Sequence, residues 1–132
     1  MARAPTVLLG VAALLLPACG GDDRKDAEQT VRDFVKATDD RDGDQFCGEL
    51  VTQEFLEQTT GAKGDEAKEA CKRQLGAVKG LEVELVTLRK VEIDGDSAKV
   101  TAVLNTQGRR QVQLLRLKKE GGDWKLAGGT GR

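Results

Sequence analysis

Between Asp26 and Thr38, the residues Ala27, Val31, Phe34, Val35 and Thr38 recur every three or four positions, while Glu28, Arg32, Asp33 and Lys36 fall between them. That spacing predicts an amphipathic helix with one buried stripe. The turn DDRDGD at 39–44 ends it, and Asp44 is placed to cap a short second helix with Phe46, Cys47, Leu50 and Val51 on its inner face. Thr52 caps a third turn bearing Phe55 and Leu56; beyond the loop TTGAKG, Asp65 caps a further helix with Ala67, Ala70, Cys71, Leu75 and Val78 inward. From Leu81 the period drops to two. Leu81, Val83 and Leu85 share a face, Val86 and Leu88 take the other, and Val91 and Ile93 return to the first, which predicts a long strand bent by bulges. The hairpin turn DGD at 94–96 leads into a clean alternation of Ala98, Val100, Ala102 and Leu104. After the turn NTQG come Val112 and Leu114, then with another slip Leu115 and Leu117; after EGGD come Trp124 and Leu126. The expected architecture is α+β: N-terminal helices packed on one face of a strongly curved antiparallel meander of about four strands.

Ahead of this domain, Arg3 and the apolar run Val7–Leu16, interrupted only by Gly10, have the layout of an export signal. The run ends at Pro17 and falls short of the roughly 20 apolar residues that a membrane span needs. Leu16, Pro17, Ala18 and Cys19 resemble the lipobox of bacterial lipoproteins. The resemblance implies cleavage before Cys19, diacylglycerol on its sulfur and an acylated new N-terminus. Two or more chains hold a protein stably on a bilayer, at ~0.8 kcal/mol per buried methylene. The organisation expected is a signal peptide at 1–18, the lipidated cysteine and a flexible tether at 19–25, a folded domain at 26–128 and a flexible tail at 129–132. An extended tether of that length would let the domain ride some ~20 Å above the headgroups.

Without its signal peptide the chain is the size of one ordinary domain. Its net charge of −1, one unit more negative once Arg3 is removed, gives no footing for nucleic acid as a partner. Residues 109–132 do hold seven Lys or Arg against Glu120 and Asp123. These either face anionic lipid or are the solvated positions of an exposed sheet face, and their alternation favours the second. Lys99, Arg109, Gln111 and Gln113 are expected on that outer face, where they would favour a monomer or a polar contact. With Cys19 acylated, Cys47 and Cys71 remain, an even pair in a compartment where disulfides persist, and a bridge between them is expected. The rival, a zinc site, would have to complete its shell without any histidine. DDRDGD does not make a calcium loop: Gly43 is out of register, and Val51 stands where the bidentate Glu is needed.

The helix AEQTVRDFVKA, the acidic turn, the short Cys-bearing helix, the hairpin IDGDSAKVTAV and the closing strand GGDWKL, in that order, resemble the nuclear transport factor 2-like superfamily over residues 26–128, in particular small actinobacterial-type lipoproteins. The resemblance implies a cone in which a bent sheet wraps the helices around a pocket. Enzymes of this superfamily place an acid or base and an oxyanion donor in the cone; ketosteroid isomerase pairs an Asp base with a Tyr and a protonated Asp. This chain has no Tyr and no His, and Ser97 beside a hairpin turn is its one serine, so a Ser-His pair is excluded. The carboxylates fall on solvated helix faces, caps and turns. Phe34, Phe46, Phe55 and Trp124 are the aromatic residues, and with Ala102 they are the candidates to line a pocket, although so small a domain needs such side chains for its core.

Three functions follow as expectations. The first is a membrane-anchored extracytoplasmic lipoprotein with a non-catalytic binding or interaction domain that meets an envelope protein partner. A carrier or sensor of a small apolar ligand in the cone is the alternative, and an enzyme working with carboxylates alone the second alternative. No catalytic residue, metal or cofactor is expected.

Overall fold

The structure is a computed structural model that describes residues 21–131, with side chains described for 23–129. Cys19 and the expected signal peptide at 1–18 lie outside the described residues. Helix α1 (Gly21–Asp40) is followed by α2 (Gly43–Gln45), which runs into a π-helical turn at Phe46–Leu50. Helices α3 (Gln53–Thr60) and α4 (Asp65–Ala77) complete the helical half. Strands β1 (Val83–Asp94), β2 (Ser97–Thr106), β3 (Arg109–Glu120) and β4 (Asp123–Gly131) form one antiparallel meander in the order β1-β2-β3-β4.

Helix α1 begins five residues earlier than its apolar stripe foretells, so residues 21–25 are helix, not flexible tether. Acidic side chains suit the first turn of a helix, where they oppose the positive end of its dipole. Arg24 also pairs with Glu28 one turn on, at 3.8 Å, a contact of small worth on an exposed surface. At the other end, Gly131 still pairs with Gln113, so the expected tail is ladder through residue 131. The capping residues shift as well. Asp42, not Asp44, caps α2 by accepting the Gln45 amide at 3.2 Å, and Asp65 is the first residue of α4 with Gly64 in the cap position. Thr52 caps α3 as expected, its Oγ1 accepting the Phe55 amide at 3.2 Å. Val78 lies beyond the end of α4 and is exposed, because the chain leaves the helix before its side chain can turn inward.

The bend of β1 arises where expected. Its register against β2 slips between Leu85 and Thr87 and again between Leu88 and Lys90. Each slip leaves an extra residue in β1 and raises the local twist. β3 behaves otherwise than expected: it pairs with β2 without interruption, and the irregularity falls on β4, where Ala127 is the extra residue. Val112 and Leu114 therefore stay on the outer face while Leu115 and Leu117 face the helices.

The core lies between the concave face and the helices. Val31 and Val35 of α1, Leu56 of α3, Val100 and Leu104 of β2, Leu115 and Leu117 of β3, and Trp124 and Leu126 of β4 meet there. Thr52 is the only buried polar or charged side chain among the described residues. The Cys47–Cys71 disulfide, with Cα atoms 5.9 Å apart, joins the π-turn to α4 across this core and closes a loop spanning 24 positions. Replacing both cysteines by alanine is expected to lower the unfolding free energy by about 3 kcal/mol, measured by urea denaturation of both proteins.

Candidate functional site

A groove of about 540 Å³ opens where the first half of α1, the π-turn and the start of β4 converge. The sequence pattern sets its walls. Asp26, Gln29 and Asp33 come from the polar face of α1, Gln45 from the end of α2, Gly48 and Glu49 from the π-turn, and Gly122, Asp123 and Lys125 from the last hairpin. Its floor is pinned by Thr30, whose Oγ1 lies 3.0 Å from the Asp26 carbonyl oxygen and 3.1 Å from that of Trp124, so one hydroxyl couples α1 to β4. Lys125 Nζ is drawn towards Glu120 Oε1 at 3.4 Å. Glu120 Oε2 in turn accepts the Gln53 amide at 3.2 Å at the start of α3. The groove is open and carboxylate-rich, a setting for polar contacts with a surface rather than for chemistry that must exclude water.

Beside it sits a second polar cluster. Asp23 in the first turns of α1 pairs with Lys119 of β3 at 2.7 Å, and the Lys119 ammonium lies 5.4 Å from the centroid of the Trp124 ring. Such a cation over an indole adds attraction from the ring quadrupole. The hydrogen bond from Lys119 holds the Asp23 carboxyl below the ordinary value, with help from the Trp124 indole nearby. The indole Nε1 is buried and finds no partner at full hydrogen-bond geometry, so that help is a loose polar contact. Glu57 is held low by Gln53 and by the Gly64 amide, and Glu92 by Lys90. Wherever a carboxylate is perturbed here, a partner stabilises its charged form, the opposite of what a general acid needs.

Of the expected pocket residues, Phe34 and Phe46 pack ring to ring at 5.2 Å, and both, with Phe55, lie against the core cluster. Ala102 is fully buried between its cross-strand neighbours Leu88 and Gln113. Trp124, 4% exposed, is the one that also lines the groove. The structure thus does not bring these five together around one opening. Gln111 and Gln113, expected outside, pair with Leu104 and Ala102 and so share the concave side. Cys47 and Cys71 are joined as expected. No three His, Cys, Asp or Glu side chains converge as metal ligands among the described residues.

No family profile and no curated protein matches this chain. Solved structures do. An NTF-2 like protein of unknown function from Shewanella oneidensis MR-1 aligns over 81% of this chain and 96% of its own, with a TM-score of 0.58 and 16% identity. The fold is the nuclear transport factor 2-like cone. A domain of unknown function with a cystatin-like fold from Nostoc punctiforme covers 85% of this chain and 77% of its own at a TM-score of 0.61 and 18% identity. A candidate ketosteroid isomerase from Shewanella frigidimarina covers 81% and 94% at 0.57 and 19%. At such identities the cone is shared and the chemistry is not implied, since one fold hosts many functions.

Pattern reading of the sequence missed the residues that fasten this cone: Asp23, Thr30, Lys119 and Glu120, together with Asp39, whose Oδ1 accepts the Val83 amide at 3.0 Å. Each bonds a residue distant in sequence, so no local spacing announces it. Two outcomes follow. Ala102→Trp is expected to destabilise the domain by about 3 kcal/mol or more, by overpacking the core, as read by thermal unfolding. Because the Asp23 pKa is depressed in the fold, its contribution is fully present above the ordinary Asp value and is lost as pH falls through the lower folded value. Emission of Trp124, the single tryptophan, should stay flat from neutral pH to about 4 and change below it, and Asp23→Asn should abolish that step.

Proposed function

We propose that this chain is a membrane-anchored extracytoplasmic lipoprotein whose cone is a non-catalytic module for contact with an envelope protein. The lipobox-like LPAC at 16–19 supports the anchor. Support for a contact module comes from one observation above all. Of the four large hydrophobic residues that are exposed among the described side chains, Val112 at 39% and Leu114 at 36% lie on the convex face of the sheet, and Val86 at 43% is the extra residue of the β1 bulge beside Thr87, the partner of Val103. Val112 is the cross-strand partner of Val103, itself buried although it lies on that face, and Leu114 follows two residues along β3. Scattered exposed apolar residues need no explanation, whereas a contiguous cluster points to a contact surface. The concave side is occupied by the domain's own aliphatic and aromatic groups, and no Asp or Glu is buried there among the described residues. Both facts weigh against the carrier and the carboxylate enzyme. No described helix is long and apolar enough to cross a membrane; the attachment in this reading is the acylated Cys19.

The test is expression in an actinobacterial host with labelled palmitate. The native chain is expected in the membrane fraction carrying label, and Cys19→Ser in the soluble extracytoplasmic fraction without it. A photo-crosslinking residue at position 112 should give a discrete protein adduct that Leu114→Lys removes while fold and anchoring persist. An unlabelled, soluble native chain would refute the anchor; crosslinks equally abundant from position 112 and from a helical surface position would refute the contact face.

A further inference from the structure

The first turns of α1 are fixed to the sheet. Asp23 is held by Lys119 at 2.7 Å, and Thr30, two turns later, bonds the Trp124 carbonyl. Cys19 precedes Gly21, the first helical residue, by only two positions. Two residues span at most ~7 Å, so an acyl group on that sulfur cannot sit far from the start of the helix. The end of the domain near that start is defined by register. Lys119 donates its amide to the Asp96 carbonyl at 2.8 Å, which brings the β1–β2 turn next to the β3–β4 turn at residues 121–122. The opposite end carries the β2–β3 turn, tied down by the Gln107 amide on the Glu82 carbonyl, and the finish of α1, where Asp39 meets Val83. A helix of 20 residues separates the two ends by about 30 Å.

From these facts, and resting on the reading that Cys19 carries the lipid anchor, we propose that the domain does not swing on a leash: the end bearing the β1–β2 and β3–β4 turns faces the bilayer at close range and in fixed orientation. Charge does not set this arrangement. The exposed cations at that end, Arg24, Lys25 and Lys118, stand against Asp26, Asp94, Asp96 and Asp123, so neutral and anionic bilayers should hold it alike. Docking of α1 sets it. The convex face then stands roughly upright beside the membrane, open to a neighbour anchored in the same leaflet.

Trp124 reports on the proximal end, and as the single tryptophan it needs no labelling. The mature lipoprotein is reconstituted in phosphatidylcholine vesicles containing a lipid with a nitroxide on its headgroup, and flotation is scored in parallel. Trp124 is expected to be quenched severalfold more than the distal indole of an Arg109→Trp, Trp124→Phe protein. Inserting ten Gly and Ser residues between Gly20 and Gly21 leaves the fold and the Asp23–Lys119 pair intact, and should bring the two positions to equal, weak quenching. Asp23→Lys should do the same in part. If the native protein floats with the vesicles but both indoles are quenched equally, the fixed orientation is wrong and the anchor stands. Should the native protein fail to float, as Cys19→Ser must, the anchor reading falls and takes the orientation with it.

Discussion

Helix α1 lying in the concave sheet is the arrangement on which the rest of this molecule depends. Its buried stripe of Ala27, Val31 and Val35 joins the core as α1 packs against β1, β2 and β4, but apolar contact alone would let a helix slide or rotate in a smooth trough, because the hydrophobic effect has no direction. Direction comes from polar contacts at intervals along its length. Asp23 with Lys119 fixes the start, Thr30 with the Trp124 carbonyl the first half, and Asp39 with the Val83 amide the finish. Each joins groups that are at least half shielded or that satisfy a backbone donor at the edge of the sheet. Loss of such a partner leaves a desolvated group unpaired, which costs more than the bond itself contributes.

The remaining helices are secured by different means. α2 and the π-turn are too short to stand by propensity, since isolated helices of that size are marginal in water. A covalent bridge from Cys47 to Cys71 and the Phe34–Phe46 contact bind this segment to its neighbours. α3 is held at its first turn by Thr52, whose amide donates to the Leu126 carbonyl while its hydroxyl caps the helix. That double use explains why a threonine is the one buried polar side chain among those described. Both of its polar groups are satisfied, so its burial carries little penalty.

The two faces of the sheet have different characters for a reason of parity. In β3 the outward positions include Val112 and Leu114 and the inward ones Gln113, Leu115 and Leu117. Inward, Gln113 meets the small Ala102; outward, Val112 stands opposite Val103. The concave face is still the apolar one, but the convex face is not wholly polar. An interior already filled by its own side chains leaves little room for a guest, while the convex face keeps apolar surface available. On the reading proposed above, the working surface is the convex outside of the cone. With the proposed anchor beside the start of α1, that surface would stand sideways to the membrane.

Sequence patterning alone determined the order of helices and strands, the bends in β1 and the Cys47–Cys71 pair. These are local matters of period, turn chemistry and cysteine parity, which neighbouring residues encode. Tertiary structure decided the rest. Whether Asp23 belongs to a tether or a helix depends on Lys119, almost a hundred positions away, and no window along the chain contains both. Whether Gln111 and Gln113 face in or out hinged on whether β3 carries a bulge, and apolar residues at both parities, Leu114 beside Leu115, fit either answer until β2 supplied an unbroken register. Phe34, Phe46, Phe55 and Ala102 could be named as inward from spacing, but whether an inward side chain lines a cavity or fills it depends on what stands opposite, and that is known only when the helices are seated on the sheet.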